Sequence, residues 1–178
     1  MNIQLIDADY FLNGTKPIVR LFGKTESGKS ICIFHDKFLP YFYCKVKENI
    51  DKLTAIKEIK KTEFVERFTP LHYSEKPTRL LKVTLANPQD VPRIKEQLLK
   101  EKIIEEAYEA DILFKYRFMI DHNIKGMQWL SFEGSHVTTS TVKVPAFNSE
   151  KIIPIDKKEN VPLKYLSFDI ESIVSDST

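Results

Sequence analysis

Two carboxylates near the end of the sequence have a spacing that suits metal binding. Asp169 and Glu171 lie in the apolar run 168–171, and residues two apart in a β-strand face the same side. Paired carboxylates form half of a site for hard divalent cations, which a two-metal phosphodiester hydrolase uses. The alternative is a chance pair in an acid-rich chain, since Asp7 and Asp9 have the same spacing.

A second stretch matches a phosphate-binding motif by its letters. Residues 23–30 read G-x-x-x-x-G-K-[ST], ending in Lys29 and Ser30, which is the pattern of a P-loop. A P-loop works because a helix begins at its Lys-Ser and points free N–H groups at phosphate. Here residues 31–35 form an apolar run typical of a strand. The motif is therefore interpreted as a hairpin turn.

The elements that would position these motifs begin with strands, since residues 3–35 are rich in β-branched and aromatic side chains. Between about residues 40 and 110 the pattern predicts βαββαβ, the order of a ferredoxin-like core that RNA-recognition modules also use. The predicted strands are 41–46, 63–68 with a continuation to Tyr73 left open, 79–85 and 103–108. The predicted helices begin at Asn49, with a stripe of Ile50, Leu53, Ile56 and Ile59, and at Asp90, with a stripe of Val91, Ile94 and Leu98.

The last third of the chain carries weaker signals. A helix is predicted over 113–121, and strands over 127–132, 136–144 and 165–171. Residues 152–162 read as a charged, proline-punctuated connection and as a domain boundary. The sequence thus predicts an α+β protein in which a ferredoxin-like core is accompanied by additional β-strands.

Composition limits the class of protein. The chain has 178 residues, 42% of them hydrophobic and 29% charged, which predicts a folded protein of one or two domains. The formal charge of +2 does not by itself indicate nucleic-acid binding. Cys32 and Cys44 lie in apolar runs and are predicted to be buried free thiols of a reducing compartment. No signal peptide or membrane-spanning run is recognised, so a cytoplasmic location without a membrane partner is expected.

Six stretches in order resemble the start of archaeal family B DNA polymerases, across nearly the whole chain. They are Asp9-Tyr10, Gly14 followed by 17–22, His35-Asp36 leading to 40–43, 87–92, 111–114 with Arg117 and 120–121, and 168–171. The last stretch resembles the Asp-x-Glu of exonuclease motif I, just after which the sequence stops. The threonine-rich run 138–141 matches nothing that we can place in the family.

The resemblance implies a domain organisation and an activity. Residues 1–155 would be a template-binding N-terminal domain, and residues 156–178 the start of a ribonuclease H-like 3′–5′ exonuclease domain, truncated after its first strand. In the intact DNA-directed DNA polymerase, Asp169 and Glu171 would bind Mg²⁺ or Mn²⁺. Archaeal members scan single-stranded template DNA and stall at uracil, so uracil-containing template and the rest of the polymerase chain are the implied partners.

The resemblance also implies a uracil pocket. Its residues would be Tyr10, Pro40, Tyr41, Pro88, Val91, Ile112 and Phe114. Pro40, Val91 and Phe114 would form walls, backbone groups of Tyr41 and Ile112 would read the base edge, and Arg117 would hold a neighbouring phosphate. Without the resemblance, the same apolar residues are more simply core residues, and Arg117 a solvated helix residue.

Three functions follow as alternatives. The first is a template-base sensor of a polymerase. The second is a general single-strand binding module without base selectivity, in which Tyr41, Tyr43 and Phe64 would be exposed on the sheet for stacking. The third is a metal-dependent nuclease fragment. The isolated chain is predicted to be non-catalytic and to need no cofactor, because two carboxylates give an incomplete metal site.

Overall fold

The computed structural model describes residues 1–47, 50–69 and 75–170. Nine strands and two α-helices follow one another, with 3₁₀ helices at Ile50–Ala55 and Pro88–Asp90. The strands are β1 (Asn2–Asn13), β2 (Lys16–Thr25), β3 (Ser30–His35), β4 (Tyr41–Val46), β5 (Ile59–Arg67), β6 (Thr78–Leu85), β7 (Ile104–Tyr108), β8 (Trp129–Val137) and β9 (Ala146–Ile155). The helices are α1 (Val91–Lys100) and α2 (Phe114–Asp121). The α+β class predicted from the sequence is confirmed.

Five of the strands form a closed barrel in the order β1-β2-β3-β9-β8. Neighbouring strands are antiparallel except β3 and β9, which run parallel. A five-stranded barrel with this order and one parallel pair has the topology of the oligonucleotide/oligosaccharide-binding (OB) fold. The barrel is filled by alternate side chains such as Val19 and Leu21 of β2, and Phe118 of α2 packs into the same core.

The turn between β2 and β3 confirms the hairpin interpretation of the G-x-x-x-x-G-K-S motif. The N–H of Gly28 donates to the carbonyl of Thr25 at 2.8 Å, and Gly28 adopts a φ of +79° that suits glycine. Gly23 lies within β2, where an added Cβ would come within 2.6 Å of Ile3 Cδ1 and 2.7 Å of the Gln4 carbonyl oxygen. The two motif glycines therefore serve a turn and a close strand approach.

The remaining four strands form the predicted ferredoxin-like sheet, in the order β5-β6-β4-β7. One face of this sheet packs on α1 through buried side chains, among them Phe42 of β4, Val83 of β6 and Ile94 of α1. The first predicted helix is reduced to the 3₁₀ helix Ile50–Ala55, and Ile59 already belongs to β5. Leu53 nevertheless fills the core, which explains the helical spacing of the apolar residues. Asn49, its predicted cap, and Tyr73 lie outside the described residues.

Three sequence predictions near the end of the chain are wrong. Residues 138–145 form a loop, whereas β8 extends to Val137, so no strand covers 136–144. The connection predicted from residue 152 begins later, because β9 continues to Ile155 and pairs with β8. Residues 165–170 form no strand, and their apolar side chains are exposed, Phe168 at 78%. A strand needs a hydrogen-bonding neighbour, and the described part of the chain provides none for this segment.

Both cysteines are buried free thiols, as predicted, and burial raises the pKa of each to about 12. Across the described residues, we find no helix with the length and apolar character needed to cross a membrane.

Candidate functional site

A cavity of about 180 Å³ lies where the barrel meets the ferredoxin-like sheet. We call it the barrel–sheet cavity. Its lining consists of Tyr10, Pro40, Tyr41, Pro88, Val91, Pro92, Ala110, Asp111, Ile112, Leu113, Phe114 and Arg117. All seven residues predicted for a base pocket, and Arg117, are among them. The convergence of stretches far apart in the sequence, on which that prediction depended, is therefore present in the structure.

Different elements deliver these side chains. Tyr10 projects from β1 of the barrel, Tyr41 begins β4, and Val91 begins α1 after the proline-containing 3₁₀ turn. Most of the remaining lining comes from the turn after β7 and the start of α2. That turn begins at Glu109, a non-glycine residue with a φ of +60°. Such a conformation is uncommon outside glycine, and it redirects the chain from the sheet towards the barrel.

Apolar walls give the cavity its shape. The rings of Tyr10 and Phe114 meet edge to face with centroids 5.1 Å apart, and Val91 is only 8% exposed. Phe114 and the half-buried Tyr10 also belong to the barrel core, so the wall is anchored by packing. A cavity of about 150 Å³ is sufficient for benzene. The barrel–sheet cavity can therefore hold one six-membered ring.

Backbone polar groups stand at the same place. The N–H of Leu85 donates to the carbonyl of Pro40 at 2.8 Å, which makes Tyr41 and Thr84 a non-hydrogen-bonded pair of the antiparallel ladder. Pairing of β4 with β7 starts only at Tyr43. The N–H and C=O of Tyr41 therefore point away from β6, to the side where β7 has ended. Those of Ile112 have no hydrogen bond with another described residue.

Arg117 is a buried cation at the cavity, 5% exposed, rather than a solvated helix residue. Its Nη2 donates to Glu109 Oε2 at 2.6 Å, and its guanidinium lies 4.8 Å from the centroid of Tyr41. The Tyr41 hydroxyl in turn donates to Asp121 at 2.7 Å. Burial disfavours the Arg117 charge, but the bond to Glu109 and nearby negative charges outweigh burial and raise its pKa. Its Nε–H is buried without a partner among the described residues.

The cavity includes lining residues that the sequence did not indicate. Pro92, Ala110 and Leu113 have no side-chain chemistry that marks a site, and only their nearness to predicted residues could have suggested them.

The hydroxyl of Tyr41 stays protonated beside the cavity. Burial raises the pKa of Tyr41 far above its usual range, with the bond to Asp121 acting in the same direction. Tyr41 is thus a neutral hydrogen-bond donor fixed beside the cavity.

The predicted metal pair is only partly within the described chain. Asp169 lies in the exposed segment 165–170, and its Oδ1 accepts from the N–H of Ile170 at 2.8 Å. Glu171 lies outside the described residues. Within the ranges that the structure describes, no three metal-ligating side chains cluster together.

The open face of the ferredoxin-like sheet differs from the exposed stacking surface of the second hypothesis. Tyr41 is 7% and Tyr43 4% exposed, because they pack with Leu80 and Tyr108. Phe64 is 45% exposed, with the guanidinium of Arg79 4.0 Å from its centroid. Two of the three aromatic side chains are therefore used in packing.

Comparisons with known proteins agree with this architecture. The family model for the exonuclease domain of DNA polymerase family B matches residues 105–177. DNA polymerase 1 of Pyrococcus abyssi is 29% identical over 177 residues, and DNA polymerase of Thermococcus kodakarensis is 30% identical over 134 residues. These alignments cover 92% and 70% of this chain, but only 22% and 8% of the relatives.

A solved structure shows the same likeness. The family B DNA polymerase from the hyperthermophilic archaeon Pyrobaculum calidifontis superposes with a TM-score of 0.77 at 27% identity. The match covers 92% of this chain and 21% of that one. The chain is thus related to DNA polymerases. More narrowly, it corresponds to the N-terminal region of the family B enzymes, and it spans about a fifth of the length of most of these relatives.

Proposed function

We propose that the chain binds single-stranded template DNA and admits a uracil base into the barrel–sheet cavity. The observation that carries the proposal is the convergence of Tyr10, Pro40, Val91 and Phe114 on one small apolar cavity beside unpaired backbone groups. A template base must leave the stack to be inspected, and a pocket of one-ring size suits an extruded pyrimidine.

The walls would exclude thymine. Uracil and thymine differ by one methyl group at C5, and a methyl group discriminates by roughly 10- to 200-fold at most in an apolar pocket. Val91 and Phe114 belong to packed cores and cannot retreat without cost. Contact of C5 with these walls would therefore give discrimination in the upper part of that range.

Backbone groups would exclude cytosine. Uracil carries an N3–H donor and a C4 carbonyl, whereas cytosine carries an acceptor and an amino group at the same positions. The N–H and C=O groups of Tyr41 and Ile112 can pair with the uracil edge, and a cytosine would leave buried groups unpaired. Arg117 would contact the adjacent phosphate after exchanging its bond to Glu109, since charge-assisted bonds to phosphate are strong.

The proposal includes the wider setting expected from the sequence. The chain would act as part of a cytoplasmic DNA polymerase, with the rest of the polymerase and uracil-containing template as partners. Residues 1–155 would form the template-binding domain, and residues 156–178 the start of the exonuclease. Asp169 and Glu171 would bind Mg²⁺ or Mn²⁺ once the remaining exonuclease carboxylates complete the site.

An affinity comparison tests the function. Fluorescence anisotropy would measure binding of single-stranded oligonucleotides that carry one uracil, thymine or cytosine at a fixed position and stated salt. The expected result is roughly 10-fold or greater preference for uracil, lost in Val91→Gln because the longer polar side chain fills the cavity. Equal affinities of the unaltered chain for all three oligonucleotides would refute base sensing and leave the general binding module.

A matched control separates the cavity from the rest of the surface. Leu99→Gln places the same amide on α1 at a position that is 37% exposed and outside the cavity lining. This variant should keep the uracil preference. Loss of the preference in both variants would indicate damage to α1 rather than a filled cavity.

A further inference from the structure

A second cavity, of about 290 Å³, lies on the opposite side of β1 from the barrel–sheet cavity. Tyr10 lines the first cavity and the next residue, Phe11, lines the second, as expected for neighbours that face opposite sides of a strand. We call the second cavity the barrel groove. Phe11, Ile18 and Phe34 line it from β1, β2 and β3, and Thr138, Thr139 and Thr141 from the loop 138–145.

The position of the barrel groove within the fold is informative. Asn13 belongs to its lining and stands at the turn between β1 and β2, whereas the three threonines belong to the loop between the last two barrel strands. In OB folds, the face of strands 2 and 3 between these two loops is where oligonucleotides and oligosaccharides bind. We infer that the barrel groove is a second binding site for unpaired nucleotides of a single strand, independent of uracil.

The groove is preformed. Val142 and Val144 pack on Cys32 and Phe34, which fixes the loop 138–145 over β3. Arg20 Nη1 donates to the carbonyl of Thr141 at 3.2 Å and ties the loop to β2. Binding into a groove that already exists avoids the entropy cost of ordering a loop.

The chemistry of the lining suits a nucleotide. Phe11 and Phe34 meet edge to face at 5.7 Å, and the guanidinium of Arg20 lies 5.2 Å from the centroid of Phe11. Aromatic rings combined with arginine are the sequence-tolerant stacking platform of single-strand binders. The threonine hydroxyls on the other side both donate and accept hydrogen bonds, so they can pair with base edges or phosphate.

Buried unpaired atoms mark the same place. Only three buried side-chain polar atoms lack a partner within the described residues, and two of them are Asp36 Oδ1 and Asn148 Oδ1. Both residues line the barrel groove. The third atom belongs to Arg117, at the barrel–sheet cavity. Buried polar groups are normally hydrogen-bonded, so these two acceptor oxygens lack a donor that water or the N–H group of a base edge could supply.

Charge around the barrel groove favours an anionic strand by a small margin. Lys16 and Arg20 pair with Asp36 and Asp9 at 2.5 and 2.6 Å. Lys143 lies exposed in the same loop as the threonines and is a third cation against two carboxylates. One cation in excess gives a weak phosphate contact, so stacking on Phe11 is expected to supply most of the affinity and its selectivity for single strands.

The test uses the 178-residue chain and DNA without uracil. A homothymidine oligonucleotide of about 15 nucleotides exceeds most OB-fold site sizes, and its affinity would be measured by anisotropy at low, stated salt. Phe11→Leu keeps an apolar side chain but removes the ring, and it should weaken binding roughly fivefold or more. Phe11→Tyr keeps the ring and should bind like the unaltered chain, which a purely structural role would not require.

A charge variant provides a second measurement if Phe11→Leu fails to fold. Thr138→Glu places a carboxylate on an exposed residue of the groove rim and should weaken binding roughly threefold or more through phosphate repulsion. Ser27→Glu adds the same charge at the exposed turn beyond the other end of β2 and should leave affinity nearly unchanged. Equal effects of the two glutamates, or none, would overturn the proposal.

The two cavities are separable in the same assay. Val91→Gln should leave homothymidine binding unchanged, and Thr138→Glu should leave the ratio of uracil to thymine affinity unchanged. A retained uracil ratio with normal homothymidine binding in Thr138→Glu would contradict the barrel groove and spare the barrel–sheet cavity. The reverse pattern, with no uracil ratio in the unaltered chain but groove-dependent binding, would contradict base sensing alone.

Discussion

The barrel–sheet cavity and the segment 165–170 differ in how much the folded chain packs around them. The cavity is lined by side chains from both the barrel and the ferredoxin-like part of the fold. Phe114 belongs to the barrel core, and Val91 belongs to the core between the sheet and α1. The segment has no strand, and Phe168 and Ile170 are 78% and 81% exposed. Both carry residues predicted to act on DNA, but only the cavity is built by packing inside the described chain. The cavity can form because the described residues pack together around it. A metal site on the segment 165–170 would need neighbouring strands, and the described part of the chain places none beside this segment.

Breaking the polar support of the cavity should have a large effect on stability. Arg117→Ala removes the partner of Glu109 and the cation packed on Tyr41, with an expected loss of about 2–3 kcal/mol in the free energy of unfolding. The expected loss is smaller than for a fully buried ion pair because the Glu109 side chain is 36% exposed and partly hydrated. Urea denaturation followed by circular dichroism would measure it.

An exposed arginine provides the matched control for that loss. Arg93 pairs with Glu58 and Asp90 at the surface, and its side chain is 53% exposed. Arg93→Ala should cost much less than Arg117→Ala, since exposed pairs contribute little. Equal losses for the two variants would show that the Arg117 network does not support the cavity.

Acidification should destabilise the barrel through the buried His35 at the end of β3. Burial lowers the pKa of His35 from its ordinary value, although the bond to the Ser149 carbonyl at 3.0 Å acts in the opposite direction. In the unfolded chain, the His35 ring takes up a proton near the usual histidine pKa of about 6.5. In the folded chain, the buried ring stays neutral at that pH. Stability due to this group is therefore complete above that pH and is lost as the pH falls below it.

A histidine variant isolates that pH dependence. His35→Phe removes the titrating ring, so the melting temperature should fall less between about pH 7 and pH 5. His122, whose ring lies 5.5 Å from His35, and the carboxylates Asp36 and Glu150 remain in both proteins and provide the common background. An unchanged slope would remove His35 as the cause.

A substitution in the exposed segment 165–170 should have the smallest effect on the free energy of unfolding. Phe168→Ser changes a side chain that makes no core contact, and the expected change in unfolding free energy is within about 0.5 kcal/mol. Thermal denaturation of this variant beside Phe118→Ser, which empties a fully buried position of the barrel core, would sharpen the contrast. A marked loss of stability in Phe168→Ser would show that the segment packs on the folded chain.

The sequence predicted elements best where the apolar spacing was strong. The stripe of Val91, Ile94 and Leu98 correctly predicted α1, and the alternation in β6 correctly predicted the strand that pairs with β4. The prediction of a strand over 136–144 was wrong, because β-branched residues such as Val142 and Val144 cover β3 from a loop instead of forming a strand. The sequence analysis also missed β9 altogether, because its lysine and proline resemble a connection although the strand closes the barrel.

The candidate site was predictable only through the family resemblance. Val91 and Phe114 have the spacing of ordinary core residues, and both do join cores. Nothing in their periodicity shows that they also face a cavity, because that depends on how the barrel and the sheet meet. The barrel groove escaped prediction for the same reason, since barrel closure brings loop 138–145 over strands more than 100 residues earlier.

The tightness of the cavity wall at C5 of the base is the central claim, and a substituent series measures it most directly. Oligonucleotides carrying uracil, 5-fluorouracil or thymine at one position differ at C5 by hydrogen, fluorine or methyl. Affinity should fall in that order, and the uracil oligonucleotide should bind roughly tenfold or more tightly than the thymine oligonucleotide. In Val91→Gln, the three oligonucleotides should bind with the same affinity. Equal affinity across the series in the unaltered chain would contradict the account.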